Sequence, residues 1–210
     1  MKKLIPLLLV VLTFAACEKD PDTDKLDNKY LVYTNYDTKA DFKAFQTYYM
    51  PDSILIIGDK KEAEYWKDES AQEILQAYAT NMNNRGFVRV DDREEANLGL
   101  QVSYIKSTYY FNDYGRPEWW WNYPGYWDAP YWGNWGGWYY PYVVNYSITT
   151  NSFLTEIMNL KAPEGEKQKL PVLWSSFLSG PASYSGKVNQ TLVVRAINQS
   201  FAQSPYLTNK

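Results

Sequence analysis

Histidine and cysteine, the residue types on which most hydrolase designs rest, are nearly missing from this chain. It contains no histidine, so a Ser-His-Asp triad, a Cys-His pair and histidine metal sites are all impossible. Cys17 is its one cysteine, which excludes an internal disulfide and any cluster of thiolate ligands. Paired carboxylates can act as general acid and base, and Asp91, Asp92, Glu94 and Glu95 are the densest group. Four acids crowded on one turn read as a solvated charge cluster. Two near-matches to ligand motifs fail, one on spacing and one on residue type. Between Gly180 and Lys187 five residues separate the glycines where a phosphate loop needs four. Asp20 to Asp24 opens like a calcium loop, but Lys25 holds the glycine position and Leu31 that of the bidentate glutamate. No catalytic residue, metal site or cofactor is predicted, and the chain reads as a non-enzyme.

Cys17 has a different chemistry available. Lys2 and Lys3, the apolar run Leu4 to Phe14 and the small Ala15 and Ala16 form an export signal. The run is shorter than the roughly 18–20 residues of a spanning helix. Phe14-Ala15-Ala16-Cys17 resembles the bacterial lipobox, in which the cysteine sulfur is diacylated and becomes the new N-terminus. Each buried CH2 of such chains contributes about 0.8 kcal/mol, so several chains would anchor the protein without a spanning helix. Residues 1–16 are therefore expected to be a lipoprotein signal peptide. Residues 17–29, rich in acids and lysines and poor in apolar side chains, are expected to be an acylated cysteine with a polar tether. Glu18 resembles the residue found there in outer-membrane lipoproteins. The acidic stretch resembles the surface-export signal of Bacteroidota lipoproteins, and an ordinary solvated linker reads equally well. The predicted location is the outer membrane, on its periplasmic or its surface side.

The remaining residues fit one domain of ordinary size, expected at 30–206. Acids outnumber bases, 24 to 21 over the whole chain, and no basic stripe is present, so nucleic acid has no electrostatic footing as a partner.

The elements that would position any site follow from periodicity. Lys29 to Asp37 predicts a first strand, and Phe42 with Phe45 one helical turn before an extended Thr47 to Tyr49. Residues 58–69 read as a surface connection. A helix of about sixteen residues starts at a capping box, Ser70 with Glu73, and stops at Gly86. Its apolar face is Ala71, Ile74, Leu75, Tyr78 and Met82. Phe87 to Val90 is a short strand. The next strand puts Leu98, Leu100, Val102 and Tyr104 on a buried face, and Gly99, Gln101 and Ser103 on the other. Tyr142, Val144, Tyr146 and Ile148 predict its return partner, which makes a long hairpin. Two further strands, 152–161 and 170–180, form a second hairpin with Trp174 in the returning arm. A last helix carries Val188, Leu192, Ala196 and Ile197, with Pro205 past its end. This order predicts an α+β fold: an antiparallel sheet with helices packed on one face and a long aromatic-rich hairpin insertion, 109–142.

That insertion is the chain's most unusual composition. Arg116 to Tyr142 holds seven of the nine tryptophans, Trp119, Trp120, Trp121, Trp127, Trp132, Trp135 and Trp138, with four glycines and four prolines. Large aromatics bury about 150–250 Å2 each, so this set exceeds the ~300–600 Å2 of the largest patch on a typical monomer. Three uses stay open: a self-packed mini-core, a contact surface for lipid headgroups or another envelope protein, and stacking on glycan or peptidoglycan with Asn122, Asp128 and Asn134 as polar partners.

The segments YDTKADFKAFQTYY, NNRGFVRVDDREEANLGLQVSY and VLWSSFLSG, followed by a final helix, resemble the domain of unknown function 4136 family of bacterial lipoproteins over about residues 30–206. The Asp41-Phe42 pair, the Arg85-Gly86-Phe87 turn, the strand entry Ala96 to Gln101 and Trp174 stand where that family's pattern puts them. Asn97 and Ser176 depart from it, in place of Asp and Gly. The resemblance implies a lipoprotein location and the fold, and brings no activity. The expected function is a membrane-anchored, non-catalytic structural or interaction module with the aromatic hairpin as contact surface. Glycan binding is the alternative.

Overall fold

The computed structural model describes residues 30–58, 62–106, 126, 128–133, 135, 137–144, 151–162, 169–180 and 188–210. The predicted signal peptide, Cys17 and the tether lie outside the described residues, as do Trp119, Trp120, Trp121 and Trp127.

Nine strands build the sheet: β1 Leu31–Tyr36, β2 Thr47–Tyr49, β3 Ile54–Ile57, β4 Glu64–Trp66, β5 Val88–Arg89, β6 Leu98–Ile105, β7 Trp138–Tyr139, β8 Ser152–Asn159 and β9 Leu170–Ser179. The helices are α1 Glu69–Asn84, α2 Ala129–Trp132 and α3 Gln190–Ala202. Sheet order is β1-β9-β8-β6-β2-β5; β3 joins β6 and carries β4, and β7 joins the start of β9. The class is α+β, but the sheet is mixed. β1–β9, β9–β8 and β8–β6 are antiparallel, while β2 and β3 both run parallel to β6 along its outer side. The expectation of an antiparallel sheet is corrected here. α1 lies between β3 and β6 in the chain, and a helical crossover returns the chain parallel to its starting strand. The four-residue apolar run Ile54–Ile57 is short enough to pass as loop, and Glu64–Trp66, read as a surface connection, is its hairpin partner.

The predicted hairpin arms also change. β6 pairs with β8, from Leu98↔Asn159 to Ile105↔Ser152, so Ser152–Asn159 is the antiparallel arm beside β6; of the predicted arm 142–148, residues 145–148 lie outside the described residues. The 152–161 and 170–180 hairpin stands as read, as β8 and β9, with a register shift at Ile157/Met158.

α1 begins earlier than the capping box suggested. Asp68 is the N-cap and its carboxylate accepts the amide of Ala71 at 3.1 Å, placing Ser70 inside the first turn. Gly86 at φ +93° takes the left-handed conformation that ends the helix cheaply only for glycine. The predicted face, Ala71, Ile74, Leu75, Tyr78 and Met82, is buried. With Val193, Ala196, Ile197 and Phe201 of α3 it covers one side of the sheet, packing on Leu98, Leu100, Val102, Phe153, Ile157 and Trp174. Both long helices therefore share a face, as expected.

Tyrosines are abundant in this core, and burial raises the pH at which their phenols ionise. Tyr48 is pushed up to about 12, against an ordinary 10, by loss of solvent, and Tyr78, Tyr30, Tyr104 and Tyr206 move the same way for the same reason. The neutral phenol is the folded form, so this stabilisation is complete below the unfolded value and disappears as pH rises through the folded one. Between pH 10 and 12 the protein is expected to unfold with tyrosinate absorbance and loss of circular dichroism rising together. Full tyrosine titration ahead of any structural change would contradict that packing.

Candidate functional site

The aromatic segment meets the sheet on the side away from α1 and α3. The described part begins at Tyr126. Asp128 then starts the single-turn α2, its carbonyl accepting the amides of Tyr131 and Trp132 at 3.0 and 2.8 Å. Farther on, Trp138 and Tyr139 pair parallel with Leu170 and Pro171 as β7. These residues cover a second core made of Leu55, Ile57, Ile105, Leu154, Met158, Val172 and Phe177. Gly99 leaves room for the cover: a Cβ there would lie 2.5 Å from Cζ3 of Trp132.

The cover satisfies a face that is partly polar. Gln101, Ser103, Glu156 and Ser175 all point to this side and are 5% exposed or less. The Trp132 indole N–H donates to Gln101 Oε1 at 2.6 Å, and Tyr142 OH donates to Ser175 Oγ at 3.2 Å. Glu156 is the centre. Tyr126 OH donates to its Oε2, Tyr140 OH and the Trp138 indole N–H to its Oε1, the last at 3.2 Å. Three donors on two oxygens suit an ionised carboxylate, which only accepts. Ring contacts tie the cover together: Trp132 meets Trp138 edge-on at 5.9 Å and Tyr49 at 5.8 Å, and Tyr126 lies 4.7 Å from Trp138. At its margin Tyr65 OH donates to Asp128, and Ser53 Oγ donates to Tyr131 OH at 3.2 Å. Burial first, then the Asp128 carboxylate, holds the Tyr65 phenol neutral to a pH above its ordinary range.

Of the predicted contact residues, Trp132 and Trp138 are buried at 2% and 0% exposure, and Trp135 packs against the same core, half-buried. Asp128 sits at the cover's edge as acceptor for Tyr65. A hairpin tip projecting from the sheet is not what the described residues form. The described part of the segment lies over the sheet, because aromatic side chains with an N–H or O–H can both bury area and meet polar groups. Gly99, Gln101 and Ser103, read as the outer face of a half-buried strand, are accordingly covered. Glu156 was missed altogether. Its signal was an acid flanked by the apolar Phe153, Leu154, Ile157 and Met158 in the strand Ser152–Asn159, in a chain with an excess of tyrosine and tryptophan donors.

The acidic turn behaves as a solvated cluster. Asp91, Asp92, Glu94 and Glu95 are exposed, Asp92 caps a 3-10 turn through the Glu94 amide at 2.8 Å, and Arg93 pairs with Glu94 at 2.7 Å. Among the described residues no group of three or more His, Cys, Asp or Glu side chains could hold a metal ion. No helix among them is long and apolar enough to cross a membrane.

A family model described as Domain of unknown function (DUF4136) matches residues 32–206. The crystal structure of a DUF4136 family protein from Bacteroides thetaiotaomicron is 61% identical, over 88% of this chain and 100% of that one, with a TM-score of 0.78. A PelC dodecamer from Paraburkholderia phytofirmans matches at 10% identity over 86% of this chain and 99% of that one, with a TM-score of 0.40. No curated protein matches.

Proposed function

The chain belongs to the DUF4136 family, and on that premise we propose that it is an envelope lipoprotein, anchored through acylated Cys17, whose α+β domain is a non-catalytic structural or interaction module. The anchoring reading is supported by the sequence from Lys2 to Cys17 and by the polar stretch that follows it. The non-catalytic reading is supported by one observation above the rest. Glu156, the buried carboxylate of the described core, accepts from Tyr126, Trp138 and Tyr140 of the aromatic cover, which supports a role in the fold.

The contact role falls to Trp119, Trp120, Trp121 and Trp127, since Trp132 and Trp138 use their rings inward. Their partner is an envelope protein or the lipid surface beside the anchor, where tryptophan is favoured at the wet edge of apolar surface. Two arms test this reading. Wild type is expected to label with radioactive palmitate and Cys17→Ala is not; label on the variant would end the anchoring claim. Replacing Trp119, Trp120, Trp121 and Trp127 by alanine is expected to remove envelope co-purification while thermal unfolding stays unchanged. Retained partners with lost stability would make the whole segment structural.

A further inference from the structure

A second feature lies on the opposite, helix-covered side of the sheet. Where α1 and α3 both begin, an open cleft of about 370 Å3 is walled by Trp66, Tyr104 and Val188 and rimmed by Ser70, Gln190 and Lys106. This volume falls within the ~300–1,000 Å3 of small-molecule sites. Its walls are fixed. The Trp66 indole N–H donates to Asp68 Oδ1 at 2.6 Å, and the ring lies 5.7 Å from Tyr104 and 6.4 Å from Phe153. Tyr104 is held in turn by its hydroxyl, which donates to Asn151 Oδ1 at 2.7 Å.

The rim is unengaged. Among the described residues, the Ser70 hydroxyl, the Gln190 amide and the Lys106 ammonium make no hydrogen bond or ion pair, although the Lys106 backbone N–H is tied to the Ile57 carbonyl at 2.9 Å. Asp68 is close by, but its carboxylate already accepts from Trp66 and from the Ala71 amide. Among the described residues lining the cleft, Lys106 is the one that carries a charge.

We propose that this cleft binds one sugar unit bearing a carboxylate, a hexuronic acid, within an acidic glycan. An aromatic plate suits the C–H face of a pyranose ring. Hydroxyl groups both donate and accept, as the Ser70 hydroxyl and the Gln190 amide do. The carboxylate meets Lys106, whose compact ammonium can donate to it from several directions. The site goes beyond the anchoring and module reading, shares no residue with the aromatic cover, and stands or falls separately from both.

Calorimetric titration of the purified full chain with trigalacturonate and with neutral cellotriose tests it. Trigalacturonate is expected to bind, more weakly as salt rises, and cellotriose to bind at least about tenfold more weakly, the worth of one charged hydrogen bond. Lys106→Ala, at an exposed position, is expected to remove that preference and Lys106→Arg to retain it. Ser70→Ala and Gln190→Ala should each weaken both sugars. Equal affinity for the two sugars, binding indifferent to Lys106 and Ser70, or binding of a fatty acid with no sugar binding would each overturn the proposal.

Discussion

Glu156→Ala is expected to cost about 3–5 kcal/mol of unfolding free energy, read from urea denaturation of variant and wild type. Removing the carboxylate takes away the acceptor shared by the buried Tyr126 OH and Trp138 N–H and the half-buried Tyr140 OH. Each orphaned buried donor costs about 1–3 kcal/mol, and water entering the vacated space recovers part of the sum. A whole domain is stable by only about 5–15 kcal/mol, so one side chain commands a large share. Glu156→Gln separates charge from shape. It keeps a carbonyl acceptor but presents an NH2 toward at least one donor, and its loss is expected to fall between wild type and the alanine variant. Dye binding to apolar surface should rise in Glu156→Ala as the cover loosens. A loss below about 1 kcal/mol would mean that the carboxylate does not hold the cover.

Trp174→Ala is expected to be as damaging, for a different reason. Trp174 is fully buried at the middle of β9, its ring 5.3 Å from Phe201 of α3 and its indole N–H donating to Ser204 Oγ at 3.0 Å. Ser204 also accepts from Tyr206 OH at 3.2 Å, and Tyr206 stacks on Tyr36 of β1 at 3.6 Å. One indole therefore joins the sheet to the last helix and to the chain beyond it. Truncating a buried tryptophan to alanine costs about 3–5 kcal/mol through lost transfer energy and the cavity left behind. Trp174→Phe keeps most of the ring and loses the N–H, so about 1–2 kcal/mol is expected. Near-equal losses in the two variants would assign the effect to the hydrogen bond rather than to packing.

Local signals in the sequence carried much of this structure. α1 announced its apolar face by four-residue spacing and its end by Gly86, and both follow from geometry internal to one helix. The β8–β9 hairpin was legible because its strands lie close together in the chain. The family was legible too, from the ordered appearance of Asp41-Phe42, Arg85-Gly86-Phe87 and Trp174. What escaped depended on distant partners. The alternation of Leu98, Leu100, Val102 and Tyr104 with Gly99, Gln101 and Ser103 divides β6 correctly into two faces. It cannot say what covers the second, because Trp132 arrives from some thirty residues away. The polarity of that face argued for water, whereas the cover is built from the two aromatic residues that bring donors. Arg116 to Tyr142 contains tyrosine and tryptophan and no phenylalanine, and the acceptors Gln101, Glu156 and Ser175 account for that choice where they are met. The parallel pairing escaped for a related reason: Thr47–Tyr49 reads as extended, but its direction is set by the distant β6, and β3, at four residues, is too short for periodicity to register.

The pairing of β6 with β8 across residues 106–151 also sets an order of assembly. Strands close in the chain, β8 and β9, meet at small loop-closure cost, while β6 must find β8 over a long excursion. The aromatic layer can dock only after both are in place, since Gln101 and Glu156 stand on the two different strands. Until then the unfinished sheet shows water a face dotted with amide, hydroxyl and carboxylate groups. That face also carries Leu154, Met158 and Phe177, so the cover removes apolar area from water and supplies donors to buried acceptors together.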